Sequence, residues 1–406
     1  MGNDPPTFRR RALPGSIWAL GLVSLFMDAS SELVHSLLPV FMAGVLGASV
    51  ATIGVIEGVA EATAAMVKVF SGAISDIFRK RKFLVLLGYG LAALTKPIFP
   101  LANSIGWVFA ARFIDRIGKG IRTAPRDALV ADLALPEMRG AAYGLRQALD
   151  AAGSFTGPLL AVAFMALLAN RIRAVLWIAV VPAFLCVALI VFGVREPADA
   201  KSSPARKRLG LADARRLPLR YWFIVALGTV FTLARFSEAF LILRAQDVGL
   251  ALGFVPLILV VMNVVYSACA YPMGSAADRL PPRTLLVAGL GMLIIADGLL
   301  AAASSPLLAF SGAAFWGLHM ALTQGLLTKL VADTAPDELR GTAFGVFNLV
   351  SGGALLLASM IAGALWTALG PAATFIAGAV FAALAAAGLL FIHPPSSRPP
   401  SGSAAH

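Results

Sequence analysis

Long apolar runs, rather than an alternation of apolar and polar positions, dominate this chain of 406 residues. The longer runs are about 20 residues, which as a helix matches a hydrocarbon core about 30 Å thick. The pattern therefore predicts an all-α integral membrane protein with twelve transmembrane helices. The predicted spans are 15–42, 50–75, 83–101, 105–131, 138–168, 173–194, 220–245, 252–276, 284–303, 307–331, 339–368 and 371–392.

Two sequence markers recur at nearly one offset. The segment LVADLALPEMRGAAYG, from Leu129, matches LVADTAPDELRGTAFG, from Leu330, at ten of sixteen positions and an offset of 201. Gly72 and Asp76 recur as Gly274 and Asp278 at an offset of 202. A recurring offset indicates a duplicated unit, which here predicts two pseudo-symmetric six-helix bundles. The expected organisation is a tail (1–14), a first bundle (15–194), a basic linker (195–219), a second bundle (220–392) and a disordered tail (393–406).

The net charge of +12 would suggest a nucleic acid partner in a soluble protein. Here the cations lie between the predicted spans, in segments such as Arg9 to Arg11, Arg79 to Lys82 and Lys201 to Arg220. The positive-inside bias therefore places these segments and both termini in the cytoplasm. We expect a monomer in the lipid bilayer of the cell (plasma or inner) membrane, with no nucleic acid partner.

The fourth predicted span contributes seven of the eight charged residues among positions 111–133, and the eighth, Asp132, follows it directly. Under the repeat, residues 111–131 align with 312–332, which form an apolar span, so we interpret the charged segment as transmembrane. At 100° per residue its charges fall within an arc of about 140° that must face protein or water. One interpretation is a structural ion-pair network; we favour a polar cavity that serves one half. The arc holds Arg112, Asp115, Arg116, Lys119, Arg122, Arg126 and Asp127.

Other predicted spans supply acids and cations that could face this arc. Asp28, Glu32 and His35 share one face of the first span, and Lys96 lies in the third. Such clusters can switch a proton near neutral pH. The predicted proton-coupling residues are Asp28, Glu32, His35, Arg112 and Asp115. The predicted substrate-binding residues are Arg116, Lys119, Glu57, Glu61, Arg146, Asp150, Arg235 and Glu238, with the last two at i and i+3 of the seventh helix.

The run from Gly72 to Lys82, GAISDIFRKRK, resembles the loop signature of the major facilitator superfamily, with a weaker copy at Gly274 to Arg279. The resemblance implies twelve helices in two bundles, and a loop that closes the cytoplasmic face by contacts between the halves. The implied gating residues are Gly72, Asp76, Arg79, Asp132, Arg139, Gly274, Asp278, Asp333 and Arg340.

Two further motifs refine the resemblance. The run from Arg112 to Asp115 looks like the fourth-helix motif of the superfamily, whose arginine is implicated in proton transfer, although Arg116 and Lys119 depart from it. Three glycines and a proline in the fifth span have the same spacing as the antiporter motif of the superfamily and so resemble it, although Ala161 and Val162 replace its closing glycine pair. An ordinary small-residue packing face is the alternative. The motif residues are Gly144, Gly153, Gly157 and Pro158.

The sequence therefore predicts a secondary transporter rather than an enzyme. We expect a proton-coupled antiporter that exports a small organic solute, a drug or metabolite with anions among the candidates, by alternating access. A proton symporter importing an organic anion and a flippase for lipid-like substrates are the alternatives. The chain has no phosphate-binding G-x-x-x-x-G-K-[ST] motif, and we expect no cofactor and no metal site.

Overall fold

The computed structural model describes residues 13–78, 80–195, 211–277, 279–323 and 326–391. Within these ranges the chain folds into sixteen α-helices with four short 3-10 turns and no strand. The helices are α1 (Gly15–Gly44), α2 (Val50–Phe78), α3 (Arg81–Thr95), α4 (Ile98–Leu101), α5 (Ile105–Leu133), α6 (Arg139–Leu167), α7 (Ile172–Ile178), α8 (Val180–Gly193), α9 (Leu219–Leu233), α10 (Ala239–Asp247), α11 (Leu257–Ala277), α12 (Pro282–Ala301), α13 (Pro306–Thr323), α14 (Leu326–Thr334), α15 (Arg340–Leu369) and α16 (Pro371–Phe391).

Every predicted span coincides with a helix or with a pair of consecutive helices. In the part of the chain that the structure describes, ten helical segments are long and apolar enough to cross a membrane. The other two predicted spans are α5, which is highly charged, and the α9–α10 pair, in which each helix is short. At 29 residues α5 is about 43 Å long, which is enough to cross a bilayer. The prediction of an all-α integral membrane fold is confirmed.

The third and sixth predicted spans are not continuous helices, contrary to the sequence prediction. The third stops at Thr95 and resumes at Ile98, because Pro97 has no backbone N–H and restricts the residue before it. The sixth bends at Ala179, which joins α7 to α8 shortly before Pro182.

The seventh predicted span is also broken, although its sequence has neither Pro nor Gly at the break. Residues 234–238 separate α9 from α10. The break is stabilised by hydroxyl groups: Ser237 N–H donates to Ser359 Oγ of α15 at 3.2 Å, and Ala239 N–H donates to Ser237 Oγ at 3.3 Å. The prediction that Arg235 and Glu238 lie one turn apart on a helix is therefore wrong, since both lie in the break.

The two bundles reproduce each other's packing at the offset of 201. A Cβ at Gly88 of α3 would lie 2.6 Å from the Gly118 carbonyl oxygen and 2.7 Å from Arg122 Cβ of α5. In the second bundle, a Cβ at Gly289 of α12 would meet the side chain of Thr323 and approach the carbonyl oxygen of His319 on α13. The contacting residues are thus related pair by pair, which fixes the correspondence of α3 and α5 with α12 and α13.

Small residues join the two bundles along α2 and α15. Gly58 lies against Leu356 and Ser359, with a Cβ expected 3.0 Å from the Leu356 carbonyl oxygen. Gly363 approaches Ala51 toward one end of this contact, and Gly345 approaches Val69 toward the other. We call this contact, from Ala51–Gly363 to Val69–Gly345, the α2–α15 seam.

Hydrogen bonds and ion pairs define a basic end of the bundle, where the starts of α1 and α3 meet the ends of α5 and α8. There Arg81 pairs with Asp132, Lys82 Nζ donates to the Val191 carbonyl oxygen and Arg195 N–H donates to Ser16 Oγ. At the opposite end, Arg244 pairs with Asp247 and donates to the Leu300 and Ala303 carbonyl oxygens. The predicted tails and most of the predicted linker lie outside the described residues.

Candidate functional site

A cavity of about 430 Å³ lies between the two bundles. Its walls differ in chemistry, because the first bundle contributes charged side chains and the second contributes aromatic and aliphatic side chains together with an equal number of polar ones. The charged wall consists of Glu32, His35, Glu61, Arg116 and Lys119, from α1, α2 and α5. The facing wall consists of Phe231, Phe236, Trp316, Leu327, Phe347 and Leu355, with the polar residues Thr232, Arg235, Ser237, Glu238, Thr323 and Ser351.

Glycines on α5 let its charged face point into the protein. Gly118 packs against the backbone of Gly88 on α3, and Gly120 packs against Val67 of α2, where a Cβ would lie 2.6 Å from the Val67 Cβ. The aromatic and aliphatic side chains of Phe113 and Ile114 are exposed on the outer face. The close approach therefore buries Arg112, Asp115, Arg116, Arg122 and Arg126 among the helices of the first bundle.

Arg112 and Glu57 form the central buried ion pair. Arg112 Nε and Nη2 donate to the two carboxylate oxygens of Glu57 at 3.2 and 2.6 Å, and Glu57 is fully buried. His35 links this pair to the cavity, with Nε2 3.7 Å from Glu57 and Nδ1 3.4 Å from Glu32. Glu61 lies 3.1 Å from Arg116. The pairing compensates much of the cost of burying these charges.

Lys96 and Asp115 form a second buried pair behind the charged wall. Lys96 Nζ donates to Asp115 Oδ1 at 2.9 Å and to Ser31 Oγ at 3.0 Å. Asp115 Oδ2 lies 3.6 Å from Arg116 Nε, so the pair is joined to the wall of the cavity. Ser31 is a functional candidate that the sequence analysis missed, because a serine in an apolar helix has no local signal of its partner.

A further cluster lies closer to the basic end. Asp150 accepts from Arg146 at 2.8 Å and from Arg126 at 3.4 Å, and Arg146 lies 3.4 Å from Asp127. Neither Arg146 nor Asp150 lines the cavity, and neither does Glu57, although all three were predicted to bind substrate. Asp28 lies 3.7 Å from Arg122, also outside the lining.

In the interior of the first bundle seven cations are matched by seven acids, but three charged groups that line the cavity have no ion-pair partner among the described residues. Lys119 is exposed in the cavity and has no ion-pair partner within 4.0 Å in the described ranges. Arg235 and Glu238, in the break of the seventh span, have none there either. The balance is seven to seven: Lys96, Arg112, Arg116, Lys119, Arg122, Arg126 and Arg146 against Asp28, Glu32, Glu57, Glu61, Asp115, Asp127 and Asp150.

The architecture and the sequence together identify the family. The profile of the Major Facilitator Superfamily matches residues 20–262 and 232–406. The chain belongs to the major facilitator superfamily. It is 32% identical over 393 residues to an MFS-type transporter of Methanocaldococcus jannaschii, covering 94% of this chain and 96% of that protein. It is 28% identical to a protein of Mycobacterium tuberculosis, covering 82% of this chain and 81% of that one.

Solved structures show the same superfamily fold at low sequence identity. A nucleoside transporter superposes with a TM-score of 0.77 at 12% identity, over 92% of this chain and 98% of that one. A bacterial homolog of the human lysosomal transporter Spinster, in an inward-facing conformation, gives 0.73 at 15%, over 93% and 97%. At sequence identities this low, the similarity to these structures shows a shared fold and nothing about substrate.

The superfamily loop signature lies partly outside the described residues. Arg79 and Asp278 fall outside them, as does the side chain of Asp76, which lies with Gly72 in the last turns of α2. The ion pair of Asp132 with Arg81 joins α5 to α3 within the first bundle, so it does not connect the halves. Of the remaining predicted gating residues, Gly274 has open space beside it, and Arg139, Asp333 and Arg340 are exposed near the starts or ends of helices.

The glycine motif of α6 packs against the acids of α1. A Cβ at Gly153 would lie 2.9 Å from Asp28 Cβ, and a Cβ at Gly157 would lie 2.7 Å from Glu32 Cβ. Pro158 is buried inside α6, whereas Gly144 faces open space. The motif thus brings α6 next to two of the predicted proton-coupling residues. In the described ranges, no three His, Cys, Asp or Glu side chains converge as metal ligands would.

Proposed function

We propose that this secondary transporter carries a small organic anion with an apolar body, and that protons drive it. The observation that carries the proposal is the pair of unpartnered cations in the cavity, Lys119 from the first bundle and Arg235 from the second. An anionic head group between them would contact both halves at once, as alternating access requires. The aromatic wall around Phe231 and Phe347 would accommodate the apolar part of the substrate.

Electrostatic linkage in the cavity supports cotransport as the direction of coupling. Glu61 competes with a substrate anion for Arg116, 3.1 Å away, and the Glu32–His35 pair lies in the same wall. Protonation of either acid would free positive charge for the substrate, so protons and anions would favour each other's binding. This geometry favours cotransport, which imports the anion under an inward proton gradient.

Antiport, and thus export, is the second candidate. It is supported by the contact of Gly153 and Gly157 with α1, because this motif brings α6 next to Asp28 and Glu32. In antiport, the proton and the substrate would compete for the same carboxylate. A hydrogen-bond donor group of the substrate, held by Glu32 or Glu238, would produce this competition. For either direction we expect a monomer in the plasma or inner membrane with both termini in the cytoplasm.

Transport into proteoliposomes decides between these functions. Purified protein would be tested with a panel of radiolabelled aromatic and aliphatic carboxylates under pH gradients of both signs, with a neutral sugar as control. Cotransport predicts uptake driven by an acidic outside, and antiport predicts uptake driven by an acidic inside. Lys119→Ala should raise KM for the anion, whereas Lys68→Ala, an exposed lysine outside the cavity lining, should not. Transport of neutral or cationic solutes alone would refute the organic-anion proposal.

A further inference from the structure

An acid in the second bundle has no partner. Asp297 of α12 is 0% exposed, and neither carboxylate oxygen accepts a hydrogen bond within the described part of the chain. An ionised carboxylate without a partner would cost several kcal/mol in such surroundings, on the order of an isolated charge at bilayer depth. These surroundings therefore favour a neutral, protonated carboxyl group at Asp297.

The internal repeat gives Asp297 a counterpart in the buried network of the first bundle. The matched contacts of Gly88 and Gly289 fix the offset at 201, so Asp297 occupies the position of Lys96. Trp316 occupies the position of Asp115 in the same way. The first bundle has an ion pair of 2.9 Å at these positions. The second has a buried carboxyl group and a buried indole N–H, neither of which has a hydrogen-bond partner in the part of the chain that the structure describes.

One aromatic side chain connects Asp297 to the cavity. A Cβ at Gly378 of α16 would lie 2.7 Å from Asp297 Oδ2 and 2.9 Å from Phe236 Cε1. The carboxyl group and the Phe236 ring therefore pack side by side against Gly378. Phe236 also packs against Trp316, at 5.4 Å between ring centroids, and both aromatic residues line the cavity. Because Phe236 belongs to the break of the seventh span, it can move without unwinding a helix.

The basic side chains nearest to Asp297 are engaged elsewhere or point into the cavity. Arg235, next to Phe236, lines the cavity, and His319 of α13 has Nδ1 2.8 Å from the Gly289 carbonyl oxygen. Arg244, from α10, is held by Asp247 and by carbonyl groups at the end of α12. None of these three side chains donates a hydrogen bond to Asp297 in the described ranges.

We propose that Asp297 is a proton-binding site of the second bundle, occupied in this conformation and opened to the transport cavity by movement of Phe236. Once ionised, the carboxylate would need a donor, and the unpartnered indole N–H of Trp316 stands at the position from which Asp115 meets Lys96. The inference rests on the proton coupling proposed above, and it adds a carrier that lies outside the charged wall.

Infrared spectroscopy of the purified protein tests the site without any substrate. A protonated carboxyl group gives a C=O stretch that carboxylates lack, and Asp297→Asn should remove such a band, whereas Asp247→Asn should not. After transfer to D2O the carboxyl proton exchanges for deuterium and the band shifts. This shift should be slow in the wild type and faster in Phe236→Ala. An unchanged spectrum in Asp297→Asn, or equal exchange rates, would overturn the proposal. Should Asp297→Asn not fold, Asp297→Leu gives the same comparison, because an apolar side chain suits these surroundings.

A transport experiment separates this inference from the proposed function. With a radiolabelled carboxylate that the wild type carries, Asp297→Asn should retain exchange without a gradient and lose the accumulation that a pH gradient drives. Full gradient-driven accumulation in Asp297→Asn would overturn the role of Asp297 alone. If the wild type itself ignores the pH gradient, the proton coupling fails, and with it the role of Asp297 as a carrier, while the infrared band still reports whether the site holds a proton.

Discussion

Gly157 of α6 lies so close to Glu32 of α1 that a Cβ at this position would be 2.7 Å from Glu32 Cβ and 2.6 Å from the Ala29 carbonyl oxygen. Gly157→Ala should therefore push α6 away from α1, with a loss of stability of about 1–3 kcal/mol, typical of overpacking. Gly144→Ala is the matched control, because Gly144 faces open space on the same helix. Thermal unfolding of the two variants in detergent would measure the difference, and equal melting temperatures would contradict the contact.

The bidentate pair of Arg112 and Glu57 leads to a prediction about stability. Arg112→Ala leaves Glu57 charged and buried, which should cost about 3–5 kcal/mol. Arg112→Ala combined with Glu57→Leu should recover much of the loss, because no unpaired charge remains. Thermal unfolding of the single and double variants gives the coupling energy. If the double variant is as unstable as the sum of the single ones, the two side chains do not act as a pair.

Arg116 and Arg122 should differ in their effect on transport. Arg116 lines the cavity and pairs with Glu61, whereas Arg122 lies 4.3 Å above the ring of Tyr89 and 3.7 Å from Asp28, outside the lining. We expect Arg116→Ala and Arg112→Ala to lose proton-coupled transport and Arg122→Ala to keep part of it. Uptake by reconstituted variants across about pH 5 to 8 is the measurement. Normal uptake by Arg112→Ala and Arg116→Ala would mean that the charged face of α5 is structural.

Membrane orientation can be tested at two exposed positions. Glu137 lies at the basic end, in the turn between α5 and α6, and Ser104 lies at the opposite end, before α5. Since the basic end should face the cytoplasm, an impermeant thiol reagent added to intact cells should label Ser104→Cys and leave Glu137→Cys unmodified. Permeabilised cells provide the control for reactivity. Labelling of Glu137→Cys from outside would reverse the proposed orientation.

Local sequence patterns predicted the spans and the charged helix, but not the pairing of its charges. The internal repeat identified α5 as a span, because the aligned segment of the second half is apolar. This comparison needs only the sequence. The contact of Lys96 with Asp115 and Ser31 depends on how three helices cross, and no local spacing contains that geometry. The break of the seventh span was missed for the same reason, since the acceptor for Ser237 N–H is Ser359, 122 positions away.

Asp297 shows a second limit of sequence reasoning. A single acid in an apolar helix is compatible with lipid headgroups, water or a partner, and only the packing of α12, α13 and α16 shows that it is buried without a hydrogen-bond partner among the described residues. Its relation to Lys96 becomes visible once Gly88 and Gly289 establish the register between the bundles.

The α2–α15 seam has a consequence for the movement between the two states. Each contact that defines it has a glycine on one side, at Gly363, Gly58 and Gly345, so the two helices approach closely and the bundles can roll on this line. In the proposed alternating access, displacements would grow with distance from the line, and both bundles would swing about an axis that stays nearly stationary. Spectroscopic probes on α2 and α15 would report almost constant distances while the protein transports its substrate. Probes on helices remote from the axis would report the largest changes in distance.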